Sequence, residues 1–257
     1  MRVVQSPMKA TDSSPARPVF NKYSQSGMTL TEVFVVTVVL AILIGVCLPV
    51  FTSVAVKGEN TNALSNAKQI ALALRLYASD NNGVYPSYTL LNGKPTSTAV
   101  ADSNTAFAQL FPTYVQSESI FWLAKSKFCS INPPDEVTDN PTLDVPVNTL
   151  NRGENEWAYV IGLTDKSNPE VPMIASGFYN PVSHTYTSDV NRKGGVWKGV
   201  QVIIVHADSS GSIKKVDQAT MTLTGPNGSG GMTGDIFTTA NSAKGWLTPA
   251  NTVVNPK

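Results

Sequence analysis

One uninterrupted stretch without charge constrains the N-terminal part of this 257-residue chain more than any other feature. No Asp, Glu, Lys or Arg occurs from Val33 to Val56, and Glu32 stands directly before the stretch. Its apolar part, Val33–Phe51, has 19 residues, close to the ~20 that a helix needs to cross ~30 Å of hydrocarbon. The sequence therefore predicts a transmembrane helix at about 33–53, because a lone segment in lipid satisfies its backbone only as a helix.

The helical pattern continues beyond the uncharged stretch. Apolar residues then recur three and four positions apart, the spacing of one helix face, at Ala63, Ala67, Ile70, Leu74, Tyr77 and Ala78. Asn81-Asn82-Gly83 favours a helix end, and Pro86 prevents continuation. The sequence thus predicts one helix from about residue 30 to about 81, apolar all round at first and amphipathic later.

The residues before the helix are polar and basic. Residues 1–27 contain four Lys or Arg against one Asp, and positive charge before a membrane span keeps that end in the cytoplasm. We therefore expect a leader at 1–27, a helical segment at 28–83 and an extracytoplasmic globular domain at 84–257. The whole would be a single-pass inner-membrane protein with its C-terminal domain in the periplasm.

The C-terminal part reads as a loop-rich body that contains β-structure. Charged residues make up only 14% of the chain, against about a quarter in typical domains. A short helix is predicted at 119–125, and strands are predicted at 156–163, 172–176, 200–207 and 212–216, the last two as a hairpin. The predicted fold class is α+β, with the long N-terminal helix, transmembrane in its first half, packed on a small antiparallel sheet.

The junction between leader and helix carries a specific pattern. Gly27 is followed by Met28, Glu32 stands four residues after Met28, and Pro49 lies 21 residues after Met28. This combination resembles the N-terminal segment of type IV pilins and type II secretion pseudopilins. The stretch 74–86 is also similar to the end of the pseudopilin helix.

The resemblance implies a maturation step and a set of partners. A prepilin peptidase would cut after Gly27 and methylate the new amine of Met28. Glu32 would pair with the N-terminal amine of an adjacent pilin or pseudopilin subunit. An inner-membrane assembly platform with its ATPase would draw the helix out of the lipid bilayer into a filament. The chain departs from the family mildly, with Met28 in place of the usual Phe and Thr31 in place of an aliphatic residue.

For Glu32, Gly45 and Pro49 of the predicted helix, a role in assembly is also supported by physical chemistry. A carboxylate near hydrocarbon costs about a few kcal/mol and is tolerated when it is paired, so a free amine on Met28 would suit Glu32. The pairing could lie within one chain or between chains, where it would set the axial register. Pro49 cannot donate to the carbonyl of Gly45, and Gly is a weak helix former, so we expect a soft point there that serves assembly.

The remaining features favour a structural role without chemistry. Basic and acidic residues number 19 and 18, so no nucleic-acid partner is predicted. His184 and His206 lack metal-like spacing, and the Gly-rich stretch 225–234 lacks the Lys-Ser/Thr ending of a phosphate loop. We expect no enzyme activity and no cofactor, although a structural calcium ion, as in some secretion pseudopilins, is left open. Secretion pseudopili, adhesive or motile pili and DNA-uptake filaments share this N-terminus.

Two alternatives stay open. Ser53-Val54-Ala55 resembles a signal peptidase site, which would make the chain a Sec-targeted or signal-anchored periplasmic binding protein without a filament role.

Cys47 and Cys129 could not pair within one chain across a membrane, so Cys129 is either a buried small apolar residue or an intermolecular disulfide partner.

The first residue of the mature chain distinguishes a filament subunit from a protein exported by the Sec route. Because cleavage after Gly27 leaves Met28 first, mass spectrometry of the protein from its own cells should find a chain that starts at methylated Met28. A chain that starts at Val56 would contradict the filament hypothesis and support Sec export.

Overall fold

A computed structural model describes residues 27–137, 148–225, 234–239 and 246–257, and for residues 46–56 only the backbone. The leader residues 1–26 and the side chain of Pro49 lie outside the described residues. The chain divides into two compact units, Met1–Thr52 and Ser53–Lys257.

A single helix, α1, spans Leu30–Asp80, and the predicted bounds were about 30 and 81. In the first unit its described residues, as far as Gly45, are all exposed. In the second unit one face of α1 is buried and the opposite face is exposed. The same helix therefore belongs to two different environments.

The predicted transmembrane span at about 33–53 is corrected. Within the residues that the structure describes, no helix has both the length and the apolar character that a membrane crossing needs. The predictions of a single-pass inner-membrane location and of a pilin-type membrane protein are corrected with it, because they depended on that span.

The second half of α1 is held by its alanine-rich face. Its buried side chains join the core of the second unit, and they are Ala63, Ala67, Ile70, Ala71, Ala73, Leu74, Tyr77 and Ala78. Leu64 and Lys68 lie so close to Gly211 that a Cβ there would come within 2.9 Å of each side chain. Arg75 Nη1 also donates to the carbonyl of Asp208 at 3.2 Å. These contacts place the helix on the hairpin that contains Gly211.

The helix ends where the sequence predicts a stop. Gly83 N donates to the carbonyl of Ala78 at 2.8 Å, and Asn81 N donates to that of Tyr77 at 3.0 Å. Asn82 and Gly83 both have positive φ, 56° and 78°, which is the left-handed cap conformation. The chain then turns away and enters the sheet region.

The rest of the second unit is built mainly from strands. The elements in chain order are β1 (Tyr88–Leu91), β2 (Lys94–Ala99), α2 (Ser103–Ala108), a 3₁₀ turn (Glu118–Ile120), β3 (Trp157–Ile161), β4 (Pro172–Ser176), β5 (Gln201–His206), β6 (Gly211–Lys215), β7 (Thr224–Gly225), β8 (Gly234–Asp235) and β9 (Thr252–Val254). The five-stranded antiparallel sheet has the order β6-β5-β4-β3-β9, and two two-stranded sheets pair β1 with β2 and β7 with β8. Every residue of β3 and β4 is buried.

The predicted fold class is wrong as stated. The transmembrane first half of the predicted helix is not supported. The described part of the second unit also contains more strands than the single small sheet that was predicted. The strands predicted at 156–163, 172–176, 200–207 and 212–216 are confirmed as β3 to β6. The predicted helix at 119–125 is only a 3₁₀ turn.

Strands that were not predicted are short or polar. β9 has three residues, and β7 and β8 have two each. None of these three strands is long enough to show an alternation of apolar and polar residues. β2 contains Pro95 and is almost wholly exposed. One signal was present: Asn92-Gly93, with φ of 49° and 71°, is the dipeptide that favours a type I′ hairpin turn.

Two leucines of α1 test the buried face. Leu74 is fully buried, whereas Leu72 is 53% exposed. Leu74→Ala should lower the free energy of unfolding by about 2–5 kcal/mol, because a buried cavity is added to the lost transfer energy. The control Leu72→Ala should stay within about 0.5 kcal/mol. Urea unfolding followed by tryptophan fluorescence measures both, and equal losses would contradict the described orientation of α1.

Candidate functional site

The predicted processing site lies in the open, just before α1. Gly27, Met28 and Thr29 precede the first helical residue, Leu30. Met28 is 76% exposed, and no heavy atom of the described residues lies within 4 Å of the point where a Cβ on Gly27 would stand. Nothing in the part of the chain that the structure describes therefore covers the peptide bond between Gly27 and Met28.

Glu32 closes the first turn of α1 together with Thr29. Thr29 N donates to Glu32 Oε2 at 3.0 Å, and Glu32 N donates to Thr29 Oγ1 at 3.3 Å. This reciprocal pair is a capping box, and the Thr-x-x-Glu spacing from Thr29 to Glu32 is its sequence signature. The nitrogen of Met28 lies one residue before the amide that already donates to this carboxylate.

The first half of α1 presents apolar side chains on every side. Those exposed by 42–87% are Leu30, Val33, Phe34, Val35, Val36, Val38, Val39, Leu40, Ile42, Leu43 and Ile44. Gly45 is exposed as well, and Pro49 lies outside the described side chains. Soluble proteins rarely expose contiguous apolar surface of this extent without an interaction that covers it. This apolar helix surface, residues 30–45, is the first candidate site.

A second candidate site is a group of three acids in the second unit. One carboxylate oxygen each from Glu118, Asp135 and Glu154 lies within 4.8 Å of the other two. Glu118 begins the 3₁₀ turn, while Asp135 and Glu154 come from separate loops. We call these three residues the acidic cluster.

Glu118 is the buried member of the acidic cluster. Leu150 N donates to its Oε1 at 2.6 Å, and its Oε2 has no hydrogen-bond partner among the described residues. Burial raises the pKa of Glu118 to about 7, against the lowering effect of the Leu150 amide, and the carboxylates of Glu154 and Asp135 raise it further. Among the described residues, the hydrogen-bonding capacity of this side chain is thus only partly used.

The loops around the acidic cluster are held in uncommon conformations. Glu136 and Leu150 have φ of 58° and 51°, in the left-handed region that residues other than glycine seldom adopt. Glu118 N donates to Glu136 Oε2 at 2.8 Å, and Asn151 N donates to Glu154 Oε2. Hydrogen bonds that converge on the acids therefore maintain both loops.

No local pattern in the sequence marked the acidic cluster. Its members are separated by 17 and 19 residues without a common periodicity. Two other carboxylates, Asp208 and Asp217, accept from the backbone amides of Ser210 and Ala219 in their own turns. Only the folded loops bring the three acids together.

The two cysteine alternatives can be examined at Cys129 alone, because the side chain of Cys47 is not described. Cys129 is a free, partly buried thiol. Burial, and then the nearby Glu156, raise its pKa to about 12. The thiol is therefore protonated at neutral pH and is a poor nucleophile, which agrees with packing as a small apolar residue.

Glu156 is a second buried carboxyl group. It accepts from Ser126 Oγ through Oε2, and Oε1 has no partner among the described residues. Burial raises its pKa from 4.5 to about 8, although the Ser126 hydroxyl lowers it. At neutral pH this group is mostly protonated, which suits its position beneath β3.

The two histidines are held in different places. His184 Nδ1 lies 2.5 Å from Asp235 Oδ2, beside the rings of Phe178 and Phe237. His206 Nδ1 lies 2.7 Å from the carbonyl oxygen of Glu170. Each histidine is thus engaged in a local structural contact.

No protein family, curated protein or solved structure matches this chain.

Glu156 makes stability depend on pH. Its pKa is higher in the folded chain, so folding retains a proton that the unfolded chain releases, and the free energy of unfolding should fall as pH rises from about 4.5 to about 8. Glu156→Gln should reduce this slope between pH 7 and 8 by up to about 1.4 kcal/mol per pH unit. Urea unfolding over that range measures it, with the exposed Glu170→Gln as control. Parallel profiles for wild type and Glu156→Gln would contradict the assignment.

Proposed function

We propose that this chain is the structural subunit of a filament of the type II secretion pseudopilus or type IV pilus kind, assembled through the first half of α1. The observation that carries the proposal is the apolar helix surface at 30–45, exposed on all sides, with the single carboxylate Glu32 at its start. The cover for this surface is supplied by the same helix of other copies.

The energetics of such an assembly follow from the composition of the helix. Apolar surface removed from water contributes about 25 cal/mol per Å², so parallel helices that cover one another gain stability in proportion to their contact. Apolar contacts are non-directional, and a helix of Val, Ile and Leu can slide along its neighbour at little cost. A charge pair at one point of the helix supplies the axial register that these contacts lack.

Glu32 is the acidic half of that pair, and the amine of Met28 is the basic half. Before processing, the nitrogen of Met28 is a neutral amide, and Glu32 is engaged by Thr29. Cleavage after Gly27 by a prepilin peptidase creates a positive charge one residue from the capping box. Assembly is thereby made dependent on processing, because the uncleaved chain has no cation to offer the Glu32 of its neighbour.

Three substitutions separate the charge of Glu32 from its capping role. Glu32→Gln keeps a side chain that can complete a capping box but removes the charge, Glu32→Ala removes both, and Thr29→Ala removes the cap hydroxyl and keeps the charge. We expect both Glu32 variants to be processed at Met28 yet at least tenfold depleted from sheared filaments, and Thr29→Ala to be incorporated. Immunoblots of sheared fractions, with mass spectrometry of the N-terminus, measure incorporation and processing.

The comparison of Gln with Ala at position 32 decides between the two roles. If Glu32→Gln enters filaments as wild type does while Glu32→Ala fails, Glu32 serves only as a helix cap and the proposed pairing is wrong. If the wild-type chain is never found in a sheared fraction, the filament proposal itself is wrong.

A further inference from the structure

We propose that a polar cleft of the second unit binds a small zwitterion of the amino-acid class, with Arg75 pairing with its carboxylate and Asp165 with its ammonium group. The proposal does not depend on the filament role of α1, since the residues that line the cleft all belong to the second unit.

The polar cleft lies where the last turns of α1 meet two loops of the sheet region. α1 contributes Arg75 and Ser79, the loop after β3 contributes Asp165, and the loop after β5 contributes Asp208. The volume of the cleft is about 400 Å³, within the range of about 300–1,000 Å³ that small-molecule sites occupy. A ligand of the size of an amino acid therefore has room there.

Charges of both signs line the cleft without pairing. None of the ion pairs among the described residues includes Arg75, Asp165 or Asp208. A simple anion would be repelled by the two aspartates, and a simple cation would be repelled by Arg75. A ligand that carries both a carboxylate and an ammonium group matches the set, because each of its charges meets an opposite charge of the protein.

The guanidinium of Arg75 is held in place and keeps free donors. Its Nη1 donates to the carbonyl of Asp208 at 3.2 Å, so the end of the side chain is fixed beside the hairpin. A guanidinium has five N–H donors, and the described residues use one of them. The other donors can hold a carboxylate by two parallel hydrogen bonds, the geometry for which arginine is suited.

The carboxylate of Asp165 is fixed beside the end of α1. The backbone N of Asp165 donates to the carbonyl of Gly83 at 2.8 Å, and the carboxylate lies so close to Gly83 that a Cβ there would overlap it. No described residue donates a hydrogen bond to this carboxylate. It is thus a positioned acceptor whose hydrogen-bonding capacity is available to an ammonium group.

Tyr85 shows that the two charges lie near one another. Its side chain lines the cleft and is only 3% exposed. Burial raises the pKa of Tyr85, while the positive charge of Arg75 lowers it and the negative charge of Asp165 raises it. Both charges therefore act on one phenol group, which suits a small ligand whose own two charged groups are close together.

Titration of the full chain with glycine, L-serine and β-alanine tests the cleft, and acetate and methylamine serve as probes with one charge each. Saturation-transfer NMR should detect binding of at least one zwitterion. Acetate and methylamine should bind at least tenfold more weakly, because each lacks one of the two ion pairs and is repelled by the charge that remains. Arg75→Gln and Asp165→Asn should each weaken zwitterion binding at least tenfold.

The matched controls are Arg192→Gln and Asp189→Asn, which remove the same two kinds of charge from an exposed ion pair outside the cleft and should bind as wild type does. Absence of binding of every zwitterion to the wild-type chain would overturn the proposal, and so would equal binding of acetate or methylamine. Wild-type affinity in Asp165→Asn would overturn it as well, and that variant decides the matter if Arg75→Gln fails to fold. Loss of filament incorporation in Arg75→Gln, with no zwitterion bound by the wild-type chain, would make the cleft an interface between copies and contradict the proposal.

Discussion

The burial of one face of α1 on the sheet of the second unit is the interaction on which the rest of this structure depends. Five small side chains of the buried part, Ala63, Ala67, Ala71, Ala73 and Ala78, leave little between the helix backbone and the elements packed against it. Gly211 permits the same close approach from the side of the hairpin. The second half of α1 is therefore fixed within the second unit by contacts of its own chain.

The two halves of α1 thus have complementary tasks. The second half buries its apolar face within its own chain, and Leu74 on that face is fully buried. The first half has no such face, because its apolar residues are consecutive and point in all directions. Apolar surface of that extent is rarely left uncovered, and in the proposed filament the capping box of Thr29 and Glu32 marks the beginning of the helix at which a neighbouring subunit would be aligned.

Local sequence patterns were sufficient to predict the helices and strands whose positions are marked by residues near one another in the chain. The bounds of α1 follow from the capping residues and from the three-four spacing between Ala63 and Ala78, and β3 to β6 follow from short runs of β-branched and aromatic residues. The transmembrane interpretation rested on hydropathy alone, and among the described residues no helix meets both the length and the apolar character that a crossing needs. The strands β7, β8 and β9 were missed because two or three residues cannot show a period, and their pairing depends on neighbours distant in sequence.

The sequence by itself determined where the helix begins and ends, which residues bracket the predicted processing site, and that Glu32 is the only charged residue between Gly27 and Val56. Only the tertiary structure decided that Glu118, Asp135 and Glu154 stand together and that Glu118 is the buried one. Capping and periodicity act over a few residues, so they can be read along the chain. The closing of loops across 17 and 19 residues depends on the packing and hydrogen bonds of the whole second unit, such as the one from Leu150 N to Glu118, which no local pattern records.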